Sequence, residues 1–141
     1  MSLSTPVEGS VARRPYDVAE VLAEAHKRSV REPAPEQARA VLADLGGRLA
    51  AACLGLKDTR TLGSWARGGP IKGHDAEHRL QVLFHVTTAV AAAFTPAVAA
   101  AFWRGSNPLL EGRAPMLVLA DEAPQDVELA LLQAAEALLA A

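Results

Sequence analysis

Trp103-Arg104-Gly105-Ser106-Asn107-Pro108-Leu109-Leu110-Glu111-Gly112-Arg113-Ala114-Pro115 is the stretch on which the reading of this chain turns. Two glycines, two prolines, an asparagine and a tryptophan interrupt a sequence otherwise rich in alanine and leucine, so this is a specified turn rather than an arbitrary connection. Asn107-Pro108 starts the turn: an asparagine side chain bonds the backbone that follows it, and proline bars its predecessor from the helical region. Leu109 and Leu110 are expected to return to the core and Gly112 to reverse the backbone a second time. Pro115 then opens the apolar run Met116-Leu117-Val118-Leu119, read as a helical turn because no partner strand exists for it.

Both sides of this corner read as helix. Upstream, Asp75 is the expected N-cap of a helix from Ala76 to about Phe94, with Leu80, Leu83, Phe84, Thr87, Val90, Ala91 and Phe94 forming one buried stripe. Thr95-Pro96 caps and restarts the chain at once, giving a helix with Val98, Ala99, Phe102 and Trp103 that ends at Gly105. Downstream, Asp121-Glu122-Ala123-Pro124 opens a last helix whose broad apolar face is Val127, Leu131, Leu132, Ala135, Leu138 and Leu139. That much apolar surface either closes the core or forms an interface with a twin copy or a partner.

Farther upstream, Pro35 begins a helix through Ala38, Val41, Leu42 and Leu45, which Gly46-Gly47 either ends or weakens. Two short helical segments follow, joined by a tight turn at Gly55 and closed by Gly68-Gly69-Pro70, in the layout of a helix-turn-helix. Leu49, Ala50 and Cys53 face the core in that layout, Gly55 takes the left-handed turn, and Leu62 and Trp65 pin the second helix. Thr59, Arg60, Ser64 and Arg67, with Lys57 just before them, fall on one edge that either reads DNA bases and phosphates or is simply solvated. At the N-terminal end, residues 1 to 15 read as a loose arm. Asp17 caps a helix to about Arg31, and Glu32-Pro33-Ala34-Pro35 breaks it.

Whole-chain properties agree with an all-α fold. The 141 residues are half hydrophobic but only 4% aromatic, which suits closely packed helices. Net charge is -2, yet residues 36–73 carry six Lys/Arg against three acids, whereas 74–141 carry three Arg against eight acids. Such asymmetry suggests two surfaces with different partners. The organisation expected is an arm and helix over 1–34, a helix-turn-helix-like unit over 35–73, and a helical unit over 74–141. The single cysteine, Cys53, excludes a disulfide framework and reads as a buried thiol within an apolar run. His74, His78 and His85 lack a third ligand at metal spacing and read as surface or capping residues. Nothing resembles a catalytic constellation, a cofactor motif or a membrane span, and a cytoplasmic protein that is not an enzyme is expected.

The order Gly55-Leu56-Lys57-Asp58-Thr59-Arg60-Thr61, Trp65-Ala66-Arg67-Gly68, Glu77-His78-Arg79-Leu80, Phe102-Trp103-Arg104-Gly105-Ser106-Asn107-Pro108-Leu109-Leu110 and Ala114-Pro115, followed by an apolar closing helix, resembles the MbcA/ParS/Xre family of antitoxins. The resemblance covers about residues 38 to 140. It implies a helix-turn-helix half followed by a helical half that binds a RES-domain toxin. Toxins of that type consume NAD, and covering their active-site entrance neutralises them. It further implies a homodimer able to repress its own operon by binding operator DNA. Carried onto this chain, the toxin contacts are Trp103, Arg104, Asn107, Leu109, Arg113, Leu138, Leu139 and Ala141. The DNA contacts are Lys57, Thr59, Arg60, Ser64 and Arg67.

Overall fold

A computed structural model describes residues 14–141, so most of the expected N-terminal arm lies outside the described residues. The fold is all-α. Among the described residues there are eight α-helices, one 3-10 turn and no strand: α1 Val18–Arg31, α2 Ala34–Leu45, α3 Gly47–Cys53, α4 Thr59–Ala66, α5 His74–Ala93, α6 Pro96–Arg104, the 3-10 turn Pro108–Leu110, α7 Pro115–Asp121 and α8 Pro124–Ala140. None of these helices is long and apolar enough to cross a membrane.

Local chemistry sets most of the helix ends. Asp17 accepts from the Glu20 backbone N–H at 3.2 Å, and Thr95 from that of Val98 at 3.2 Å, each satisfying a donor that the first turn leaves open. Gly46, at φ 81°, separates α2 from α3, so the glycine pair ends the helix. Gly55, at φ 69°, makes the left-handed turn after α3, and a Cβ there would stand 3.2 Å from the Ala120 carbonyl of α7. The start of α5 differs from expectation. Gly73, at φ 97°, is its N-cap and the helix begins at His74, which moves Asp75 into the first turn, where its carboxylate faces the positive end of the helix dipole.

α5 is the axis of the molecule. α1, α2, α6 and α8 all pack on it. Every residue from 82 to 90 is buried, so the expected single stripe is corrected to burial on all sides. Phe94, expected on that stripe, is 38% exposed and meets the Tyr16 ring edge-on at 5.6 Å between centroids. One hydrophobic cluster runs from Ala38 and Val41 through Leu62 and Trp65 to Leu119, Leu131 and Leu139, continuous across position 73. The apolar face of α8 enters it through Val127, Leu131, Ala134, Ala135 and Leu139, with Leu132 and Leu138 half-buried at its edge.

Candidate functional site

The corner between α6 and α7 is built by its own polar groups. Asn107 organises it: its side-chain oxygen accepts from the Leu109 N–H at 3.0 Å, and its carbonyl accepts from the N–H groups of Leu110 and Gly112, each at 2.9 Å. The Asn107 N–H donates to the Arg113 carbonyl at 3.2 Å, and the Ser106 hydroxyl donates to the Gly112 carbonyl at 2.8 Å. Glu111 and Gly112 are both left-handed, at φ 59° and 82°, which folds the strand of the turn back on itself. This geometry separates the two leucines. Leu110 is turned inward, whereas Leu109, expected in the core, stands 59% exposed.

Arg113 fastens the corner to α7, with Nη1 at 2.6 Å from Glu122 Oε2 and Nη2 at 3.3 Å from Asp121 Oδ2. Arg79 reaches the same helix end from α5. Its Nε donates to the Leu119 carbonyl at 2.8 Å and its Nη2 to the Glu122 carbonyl at 2.9 Å, satisfying acceptors that a helix C-terminus leaves open. A shallow cleft of about 260 Å³ lies beside Leu109, with Leu110, Arg113, Val118 and Ala130 among its walls. The corner is therefore a preorganised projection with one leucine at its surface, anchored to two helices.

The eight residues carried over as toxin contacts divide between surface and core. Asn107, Leu109 and Arg113 share the corner, and Arg104 is exposed at the end of α6. Trp103 does not join them. It is wholly enclosed, and its indole N–H donates to the Thr87 hydroxyl at 2.9 Å, so its assignment as a contact is corrected to core. Leu139 is likewise enclosed, and its carbonyl accepts from the Tyr16 hydroxyl at 2.9 Å. Leu138 is half-buried against the core and Ala141 is exposed. The step from Ala130, beside the corner, to Ala141 is about 16 Å along α8, so corner and helix end are separate patches.

The α4 edge is more open. Lys57, Thr59, Arg60 and Arg67 are exposed, and the Arg60 side chain keeps 90% of its surface in solvent. Asp58 caps α4 by accepting from the Arg60 N–H at 3.0 Å and also meets the Arg60 guanidinium at 3.4 Å. Those interactions, the backbone one foremost, hold the Asp58 carboxyl below its ordinary value. Ser64 departs from the expected edge: it is half-buried, and its hydroxyl occupies the space where a Cβ on Gly69 would project, which also requires glycine there. Cys53 is fully buried, and burial pushes its thiol up to about 12, which leaves it protonated and inert.

The histidines are not all superficial. His78 Nε2 is 2.8 Å from Glu128 Oε1, joining α5 to α8, and the His74 ring lies 6.4 Å from that of His78. His85 is buried beside the exposed His26 of α1, their ring centroids 5.5 Å apart, which corrects its reading as a surface or capping residue. No group of three His, Cys, Asp or Glu among the described residues is placed to hold a metal ion. Sequence reasoning missed the clasp on the end of α7: Arg79 reaches backbone carbonyls forty or more positions away, which no side-chain pattern announces, and Arg113 pairs with Asp121 and Glu122 eight and nine positions on.

What the fold and corner define is an all-helical protein presenting a rigid, internally bonded projection. Compared with protein-family models, with curated proteins and with solved structures, the chain finds no match.

Proposed function

We propose that this chain is a binding protein of the antitoxin class, which neutralises a RES-type, NAD-consuming toxin by seating the 106–113 corner over the toxin's active-site entrance. The observation that carries the reading is Leu109, 59% exposed on a backbone held in place by its own hydrogen bonds. An apolar side chain on a preorganised turn enters a partner's pocket with little further loss of conformational entropy. Arg113, half-engaged by Asp121 and Glu122, and the exposed Glu111 supply a polar rim around that anchor. The motif order described above supports the class of partner, and the corner lies within it.

The test is co-expression with a RES-domain toxin, together with a titration of the purified pair. Burying one leucine is worth roughly 1.5–3 kcal/mol, so Leu109→Asp is expected to weaken the complex by about tenfold or more and to restore growth arrest. Lys57→Ala, an exposed change on the turn before α4, is expected to leave neutralisation intact. A folded Leu109→Asp chain that still rescues growth and binds like the parent would reject the corner as the contact.

A further inference from the structure

α1 is fixed to the rest of the molecule in an unusual way. Only Ala25 and Ser29 of its fourteen residues are fully buried, whereas α2 and α8 insert leucines and valines and α6 inserts Phe102 and Trp103. Apolar grooves flank it on both sides. One of about 390 Å³, on the α8 side, includes Leu22, Leu129 and Leu132 in its walls, and one of about 230 Å³, on the other side, is walled by Val21, Thr88 and Ala92. Polar clasps add to the packing of Val18, Val21 and Leu22 against the core. The Gln37 and Gln81 side-chain amides each donate to the Ser29 carbonyl at 3.0 Å, Tyr16 and Arg14 donate to the Leu139 and Ala140 carbonyls, and the Arg28 guanidinium sits 5.3 Å from the Phe84 ring centre.

Beneath α1, one stripe of α5 meets it: Gln81, Phe84, His85, Thr88 and Ala92. His85 is the only imidazole in that stripe, and the imidazole facing it from α1 is His26. We propose that α1 is an acid-releasable strap: protonation of His85, beneath His26, lifts α1 from α5 and α8 and uncovers the stripe of α5 beneath it, whose apolar members are Phe84 and Ala92.

The groups around His85 decide the direction. From α1 it faces His26 and the Leu22 backbone, from α8 Glu128 and Glu136, and along α5 His78, whose ring engages Glu128 at 2.8 Å. Burial and then His26 hold His85 below the ordinary imidazole value, against the opposing pull of Glu128 and the Leu22 backbone. A histidine held low in the folded state contributes stability that is present above the ordinary value near 6.5 and is lost as the pH falls through it toward the folded value. His26 and His85 both line the 390 Å³ groove, so a charged His85 is hydrated by widening it, and the wall that yields is α1, which has only two fully buried residues.

Amide hydrogen exchange of the full chain at about pH 7.5 and about pH 5.5, corrected for the intrinsic rate, tests this. Protection over residues 18–31 is expected to fall severalfold between the two, while residues 131–139 in the core keep theirs. His85→Phe fills the same space without a proton and is expected to abolish the effect. Because that buried substitution can compromise folding, His26→Gln at an exposed position is the second variant, expected to reduce the drop. Protection over 18–31 that ignores pH, that falls in step with residues 131–139, or that drops undiminished in His26→Gln would each overturn the strap.

Discussion

Trp103 and Thr87 form a pair whose terms both lie inside the core: the indole N–H donates at 2.9 Å to a hydroxyl that is itself buried. Trp103→Phe would open a cavity and strip that hydroxyl of its donor, at a cost of about 2–4 kcal/mol. Chemical denaturation is the measurement, and a concurrent Thr87→Val change is expected to recover part of the loss because it removes the unpaired group. A Trp103→Phe chain that kept its stability and lost only partner binding would return Trp103 to the surface. The resemblance made Trp103 a contact, although a large apolar side chain on that helix suits the core equally well. Thr87 was legible as a member of a buried stripe, but its role as the acceptor was not, since sixteen residues and a helix restart separate the two. Cys53 was fully legible, because an apolar run around a lone thiol leaves it little else to do.

Among the elements, caps were the most readable feature. Asp17, Thr95 and Asn107 each accept from a backbone N–H two or three residues on, an interaction set by local sequence alone. α5 was misread at its start because Gly73 adopts a positive φ that only its surroundings select, and a good capping residue two positions later offered an equally local alternative. The long-range caps were invisible for the same reason that they matter. Arg79 spans from α5 to the end of α7, and its planar fork satisfies two carbonyls at once. Arg79→Ala is expected to cost about 1–3 kcal/mol and to speed amide exchange at Glu122 and through the corner. Arg79→Lys should recover only part, because a single ammonium cannot reproduce the fork. Equal exchange in parent and Arg79→Ala would mean that α7 is held by packing alone.

At the scale of the whole molecule, the all-α class followed from composition and periodicity, while the way the helices close on one another did not. The charge asymmetry and the glycine-rich break before Ile71 invited a division near position 73, yet the core passes through it without interruption. A shared core predicts one cooperative transition. Trp65 lies in α4 and Trp103 in α6, so single-tryptophan variants report from either side. In each variant the fluorescence transition is expected to coincide with the loss of helical circular dichroism, and a separation of the two curves would reveal independently melting halves. The backbone turn of the corner was legible, but the outward Leu109, expected in the core, was not, and neither was the packing of α8. The corner's turn chemistry is local, but which leucines of an apolar helix remain outside depends on what packs against it. Leu109 and Leu129 emerge, and Leu139 does not.

The close approach of Gly55 to α7 links the turn between α3 and α4 to the helix that carries the corner. α7 is only seven residues long, yet one of its ends is gripped by Arg79 and by the corner's Arg113, while its Ala120 carbonyl lies over the turn between α3 and α4. A Cβ at position 55 would press on the Ala120 carbonyl, so α7, to which Arg113 fastens the corner, would have to give by a few tenths of an ångström. Variation at one turn glycine is thus constrained twice over, by its positive φ and by the helix it lies against, some sixty residues later in the chain.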